Sequence, residues 1–282
     1  MRAITLPKVP GKSGIVKFVA TFNTNFKLYL MEALGLAIFM ISACFFGAML
    51  EGNDAIFHNA IPDAFERSIL MGVLMGATAL FIFYSPFTAP SGAHINPAVT
   101  ITFFRLNKIG WEDSLFYCCF QLIGGTIAVY AMRLLMGDLL IATPVNSVVT
   151  VPGKAGVAYA ALMEFCIAFI MITMLLFTSA HQKIKAYTRI FAACMVCIYV
   201  IIAGPVSGFG MNPARSFASA FPSGIYTSFW IYLFIPFAGM LTAAEFFVQV
   251  QSMINKTKSV IRSKNIHLKN SDDEAVCKDL SF

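Results

Sequence analysis

The frame S-G-x-x-x-N-P-A occurs twice in this 282-residue chain, at 91–98 and 207–214, with Asn96 and Asn212 lying 116 residues apart. Asparagine is a preferred helix N-cap. Proline directly after it fits the first helical position, where its missing N–H costs nothing and its φ is already helical. Each copy therefore reads as the start of a helix. The two helices are short, about 96–105 and 212–221, and each lies between apolar runs long enough to cross a bilayer. Backbone outside a helix is tolerated at membrane depth only where it is buried in protein or lines a water-filled cavity. Two short helix starts set among spanning helices thus point to a pathway at mid-membrane.

Six stretches meet the requirement of roughly 20 mostly apolar residues for a span: 28–50, 66–86, 114–136, 156–179, 188–206 and 227–250. Hydrophobic residues make up 58% of the chain and charged residues 12%, about half the charged share usual in soluble domains. The expected fold class is an all-α membrane protein. Each half (about 28–136 and 156–250) holds three spans, an odd number, so the second motif must enter from the opposite face. The result is an inverted repeat of six spanning helices and two re-entrant half-helices, whose N-termini meet at the bilayer centre. The loops 84–95 and 206–211, rich in Gly, Ser and Pro, suit that role.

The basic residues set the topology. With both termini inside, the inner segments hold Arg2, Lys8, Lys12, Lys17, Lys27, Arg105, Lys108, Lys183, Lys185, Arg189 and the basic residues of the tail. The outer loops hold Arg67 and Lys154 beside the carboxylates Glu51, Asp54, Asp63, Glu66 and Asp138. The positive-inside rule then makes residues 1–27 a cytoplasmic segment and 251–282 a mobile cytoplasmic tail, in a multi-pass protein of the plasma (inner) membrane. No cleavable-signal pattern precedes residue 28, so the first apolar run is expected to stay as a helix. An excess of 20 basic over 14 acidic residues concerns topology here, not nucleic acid. The Cys194-x-x-Cys197 pair lacks a matching second pair, and His58, His94, His181 and His267 have no metal-ligand spacing. No cofactor or metal is expected, and no Ser, His and carboxylate converge as in an enzyme.

Together, inverted halves, paired Asn-Pro-Ala boxes (Asn96, Pro97, Ala98; Asn212, Pro213, Ala214) and Arg215 after the second box resemble the aquaporin, or major intrinsic protein, family. Glu32 and Glu164 occupy corresponding places in the two halves, and Gln121, His94 and Gly204-Pro205 also match the family pattern. The resemblance covers about residues 28–250 and implies a homotetramer with one pore per subunit. Apart from the family, a carboxylate within an apolar helix must face the bundle interior and have partners. Glu32 and Glu164 are expected to brace the two re-entrant loops, with His94 and Gln121 beside them. Asn96 and Asn212 are expected to turn their amide NH2 groups toward a passing oxygen. Two helix N-termini and the Arg215 charge would repel cations and protons.

Selectivity is the harder question. Ser216 and Ala220 resemble the water-selective branch, whereas Phe209, three residues before the second Asn, resembles the polyol-conducting branch. Counting back from the boxes by family spacing places Gly76 and Val200 where water channels carry an aromatic and a histidine. A displacement of one residue would put Met75 or Ala77 there, neither of them aromatic. A filter of Gly76, Val200, Phe209 and Arg215 is expected to pass water and small neutral solutes such as glycerol or urea. A strictly water-selective channel, a coupled carrier and a closed-pore structural protein are the competing readings.

Overall fold

The computed structural model describes residues 14–53 and 55–279, so Arg2, Lys8, Lys12 and Asp54 lie outside it. Ten α-helices follow in chain order: α1 Gly14–Glu51, α2 Ile56–Ala60, α3 Ala64–Tyr84, α4 Pro97–Arg105, α5 Trp111–Met136, α6 Asp138–Ile141, α7 Val157–Ala180, α8 Thr188–Ser207, α9 Pro213–Ser223 and α10 Phe229–Asp279. No strand occurs among the described residues. Six of these helices are long and apolar enough to cross a membrane, namely α1, α3, α5, α7, α8 and α10. The half-helices α4 and α9 start one residue after each asparagine, as expected. The chain forms one compact unit up to Ala244 and a second from Glu245.

Both ends of the apolar pattern are corrected. The first helix begins at Gly14, not 28, because its polar residues find partners that hydropathy cannot register. Asn25 Nδ2 donates to Asp113 Oδ1 at 2.9 Å, Tyr29 donates to the same oxygen at 2.6 Å, and Lys17 pairs with Glu112. Phe18 and Phe22 lie against Phe116 at centroid distances of 4.6 and 5.0 Å, so the added turns of α1 pack along the start of α5. At the other end the helix that holds the last apolar run continues to Asp279. No Gly or Pro follows Gly239, so no residue that ends a helix by its own geometry interrupts it.

Inside a bilayer, lipid tails are as apolar as leucine, so helices associate by close packing of small residues. Gly124 of α5 sits against the backbone of Ala33 in α1, and a Cβ at Gly72 of α3 would stand 2.7 Å from the Cys197 carbonyl of α8. These contacts lie within one subunit. The core they enclose joins Leu36, Met40 and Cys44 of α1, Ala128, Val129 and Met132 of α5, and Ala214 and Ala218 of α9. A half-helix is thus built into the same core as the spans. Outside the spans, Asp63 caps α3 by accepting from Phe65 and Glu66 N–H at 2.8 and 2.9 Å.

Candidate functional site

The two boxes form the helix starts their chemistry calls for. Asn96 caps α4 by accepting from Ala98 N–H at 2.9 Å, and Asn212 caps α9 by accepting from Ala214 and Arg215 N–H at 3.0 and 3.2 Å. Each amide then reaches across to the other half. Asn96 Nδ2 donates to the Met211 carbonyl at 3.0 Å and Asn212 Nδ2 to the Ile95 carbonyl at 2.7 Å. One N–H of each amide therefore ties the half-helices together. The other has no protein acceptor among the described residues, and both side chains line the cavity.

The loops leading to these caps are held by two carboxylates with no solvent exposure. Glu32 accepts from Ser91 Oγ (2.6 Å), His94 N (3.0 Å), Ile95 N (2.6 Å) and Gln121 Nε2 (2.8 Å). Glu164 accepts from Ser207 Oγ (2.6 Å), Gly210 N (2.8 Å) and Met211 N. Besides Gly92 and Gly208, two non-glycine residues of each loop take positive φ, Ala93 and Ile95 in one and Phe209 and Met211 in the other. That alternation turns successive N–H groups toward the carboxylate while the Ile95 and Met211 carbonyls face the opposite asparagine. His94 stands where the first loop turns, its Nδ1 3.3 Å from Thr100 Oγ1 and its ring stacked on Phe103.

Two tyrosines complete the braces and were missed by the sequence reading. Tyr117 donates to the Ser91 carbonyl and Tyr232 to the Ser207 carbonyl, both at 2.8 Å. The signal was present: each lies 25 or 26 residues after its serine. The halves differ four residues further on, where Gln121 of α5 matches Pro236 of α10.

Two cavities in this unit share part of their walls. One holds Asn96, Asn212, His94, Val196, Leu175, Thr188 and Arg189 along its wall. The other opens past Glu51, Ser68, Met71, Met75, Val148 and Val200. Phe39, Phe209 and Arg215 line both, which places the junction at these three side chains. Arg215 Nη1 donates to the Val148 carbonyl at 2.8 Å and lies 3.4 Å from Ser219 Oγ.

Three of the four expected filter residues, Val200, Phe209 and Arg215, line this path. Gly76 does not. A Cβ there would stand 2.9 Å from Cys197 Cβ and 3.2 Å from the Ala193 carbonyl, so Gly76 faces α8. The neighbouring Met75 lines the cavity instead. A helix turns about 100° per residue, so a one-residue error in counting across 77–95 moves a side chain from the path to a helix contact. Phe39 was not anticipated; one phenylalanine among many in an apolar helix carries no sign of facing a cavity. From this geometry, Gly76→Ala is expected to cost about 1–3 kcal/mol by overpacking α3 on α8. Thermal unfolding in detergent reads that loss, and the ratio of glycerol to water flux should not move.

The family model for the major intrinsic protein matches residues 20–247, and the chain belongs to that family. It is an integral, multi-pass membrane protein of the aquaporin fold. Aquaporin NIP1-4 of Oryza sativa subsp. japonica is 34% identical over 155 residues, covering 55% of this chain and 55% of the relative. Aquaporin NIP1-2 of Arabidopsis thaliana is 32% identical over 200 residues, covering 68% and 65%. Aquaporin NIP1-1 of Zea mays is 32% identical over 196 residues, covering 70% and 68%. The chain thus spans 55% of the rice relative and 65% of the Arabidopsis one. The X-ray structure of the aquaglyceroporin from Plasmodium falciparum superposes with a TM-score of 0.63 at 20% identity, covering 79% of this chain and 95% of that one. At that identity the likeness is one of fold.

Proposed function

We propose that the chain is a passive channel for water and small uncharged solutes of the glycerol or urea type, and that it excludes ions and protons. The observation that carries this reading is the composition of the junction. Arg215 supplies a fixed positive charge and aimed donors, Phe39 and Phe209 supply apolar walls, and Met75 and Val200 add flexible or medium-sized apolar side chains to the wall, neither aromatic nor hydrogen-bonding. A solute with hydroxyl or amide oxygens can face Arg215 and lay its carbon skeleton on the phenylalanines. Beyond the junction, the unpaired N–H groups of Asn96 and Asn212 offer the next donors, beside the N-termini of α4 and α9. Those termini carry partial positive charge and oppose cations. The names of the relatives, aquaporins and an aquaglyceroporin, point the same way.

The same reading orients Glu51 outward and both termini inward in the plasma membrane, with four copies forming a homotetramer, each subunit holding its own path. One observation favours the strictly water-selective alternative: Phe39 and Met75 fill space that a glycine at the filter would leave open.

Stopped-flow light scattering on proteoliposomes separates these readings. Fast shrinkage in an impermeant osmolyte, with protein-dependent reswelling in glycerol or urea, is expected. Shrinkage without reswelling would mean water selectivity. Saturation with solute would mean a carrier, and no flux a closed structural protein. In the conducting case Met75→Trp is expected to lower glycerol flux about tenfold and water flux less, since an indole beside Phe39 and Phe209 leaves room for the smaller solute. Equal losses would remove Met75 from the filter.

A further inference from the structure

The loop between α6 and α7 carries the only run of three non-glycine residues with positive φ among the described residues: Asn146 (48°), Ser147 (57°) and Val148 (52°). Asparagine adopts this region readily, whereas a β-branched valine there is a true outlier. Strain of this kind persists only where the surroundings fix it, and it gathers where a backbone group must be aimed. The aimed group is the Val148 carbonyl, which accepts from Arg215 Nη1 at 2.8 Å.

Two further contacts, besides the bond to Arg215, hold the strained run. Arg133 Nη1 of α5 donates to Ser147 Oγ at 2.9 Å, and Ser147 has no solvent exposure. The Val148 side chain rests on Gly47 of α1, where a Cβ would stand 2.6 Å from Val148 Cγ1. A basic residue in the last turn of a helix commonly serves the helix dipole alone, and Arg133 lies in the last turn of α5. Its bond to a buried hydroxyl one residue before the carbonyl that receives Arg215 goes beyond that.

We propose that Arg133, acting through Ser147, is a positioning residue for Arg215 and thereby sets how the path discriminates glycerol from water. The inference rests on the channel reading above. With the Arg133–Ser147 bond intact, the Val148 carbonyl keeps one orientation and the guanidinium keeps its donors aimed across the junction. Without it the run relaxes toward ordinary φ, the carbonyl turns away, and Arg215 keeps its charge but loses its aim. A solute that needs aligned donors suffers more than water does.

Arg133→Met, Ser147→Ala and the double variant test this in proteoliposomes, scored by the glycerol-to-water permeability ratio. A mere loss of folded protein scales both fluxes alike and leaves that ratio unmoved. Each single variant is expected to lower the ratio about threefold, less than the roughly tenfold or more that a hydrogen bond to a charged group is worth, because the lost bond acts on Arg215 only through the Val148 carbonyl. The double variant is expected to fall no further than either single, because the two residues act through one bond. An unchanged ratio in Arg133→Met and Ser147→Ala, or losses that multiply in the double variant, would overturn the proposal. Hydrogen exchange at Ser147–Val149 in detergent gives a reading independent of transport: exchange should rise in Arg133→Met, and unchanged protection would also overturn the proposal. If wild-type protein conducts neither solute, the channel reading fails and takes the selectivity role with it. If wild type conducts and the ratio does not move, only the role of Arg133 fails.

Discussion

Arg215→Val is expected to admit cations and protons to the proposed path, with water flux retained. Among the described residues the guanidinium is the only charged side chain lining both cavities, so a cation passing Phe209 must pass close to it. Two unit charges at 4 Å repel by about 4 kcal/mol at an effective dielectric of 20. Removing that barrier raises a rate on the order of a hundredfold to a thousandfold. The N-termini of α4 and α9 remain, each with about half a positive charge, so exclusion is weakened rather than abolished. Valine keeps the apolar volume and leaves the Val148 carbonyl facing the path, an added attraction for a cation. A pH-sensitive dye trapped in proteoliposomes, with potassium and valinomycin to set the potential, reads the leak directly. Normal water flux with unchanged proton exclusion would remove Arg215 from the constriction.

This expectation differs in kind from that for Arg133→Met. There the charge stays and only its aim is lost, so the glycerol-to-water ratio shifts; here the charge itself goes, so ions enter. Comparing the two variants in the same vesicles separates what Arg215 does as a cation from what it does as an oriented donor.

The centre of the molecule was legible in the sequence because its chemistry is local. An Asn-Pro pair specifies a helix start without tertiary context, and Asn96 and Asn212 cap α4 and α9 through neighbouring N–H groups. Glu32 and Glu164 were legible for a different reason: a carboxylate in an apolar helix demands partners, and the loops flanking the boxes had N–H groups to offer. Where tertiary contacts decide, the sequence was silent or misleading. Lys17 and Asn25 broke the apolar pattern of the first helix, and only their pairing with Glu112 and Asp113 carries the helix through them. Met75 and Gly76 differ by one turn angle, which no count across an irregular loop resolves. Arg133 read as part of an apolar span, since its partner Ser147 becomes special only when the loop takes its left-handed turn.

Glu32→Ala is expected to prevent accumulation of a folded channel. The carboxylate accepts four hydrogen bonds, two of them from the backbone N–H groups of His94 and Ile95. Alanine leaves the His94 and Ile95 amides without their acceptor and takes from Ser91 Oγ and Gln121 Nε2 one of the two each has, the Thr88 carbonyl and Thr100 Oγ1 remaining. Gln121 is already half-satisfied, its Oε1 having no partner among the described residues. Each buried orphan costs about 1–3 kcal/mol, and more at membrane depth. Together the losses approach the whole stability of a typical domain, about 5–15 kcal/mol. Glu32→Gln separates the hydrogen bonds from the charge, because its amide oxygen can still serve two donors while its NH2 group must turn from the rest. The expected order of monodisperse yield and of thermal midpoint in detergent is wild type, then Gln, then Ala. Glu164→Ala should follow the same course with a smaller loss, since the second half has Pro236 where the first has Gln121 and so loses one hydrogen bond fewer. A Glu32→Ala protein that unfolds within a few degrees of wild type would show that the first loop keeps its shape without the carboxylate. The bracing role would then rest on Tyr117 and on the bond from Asn96 to Met211 alone.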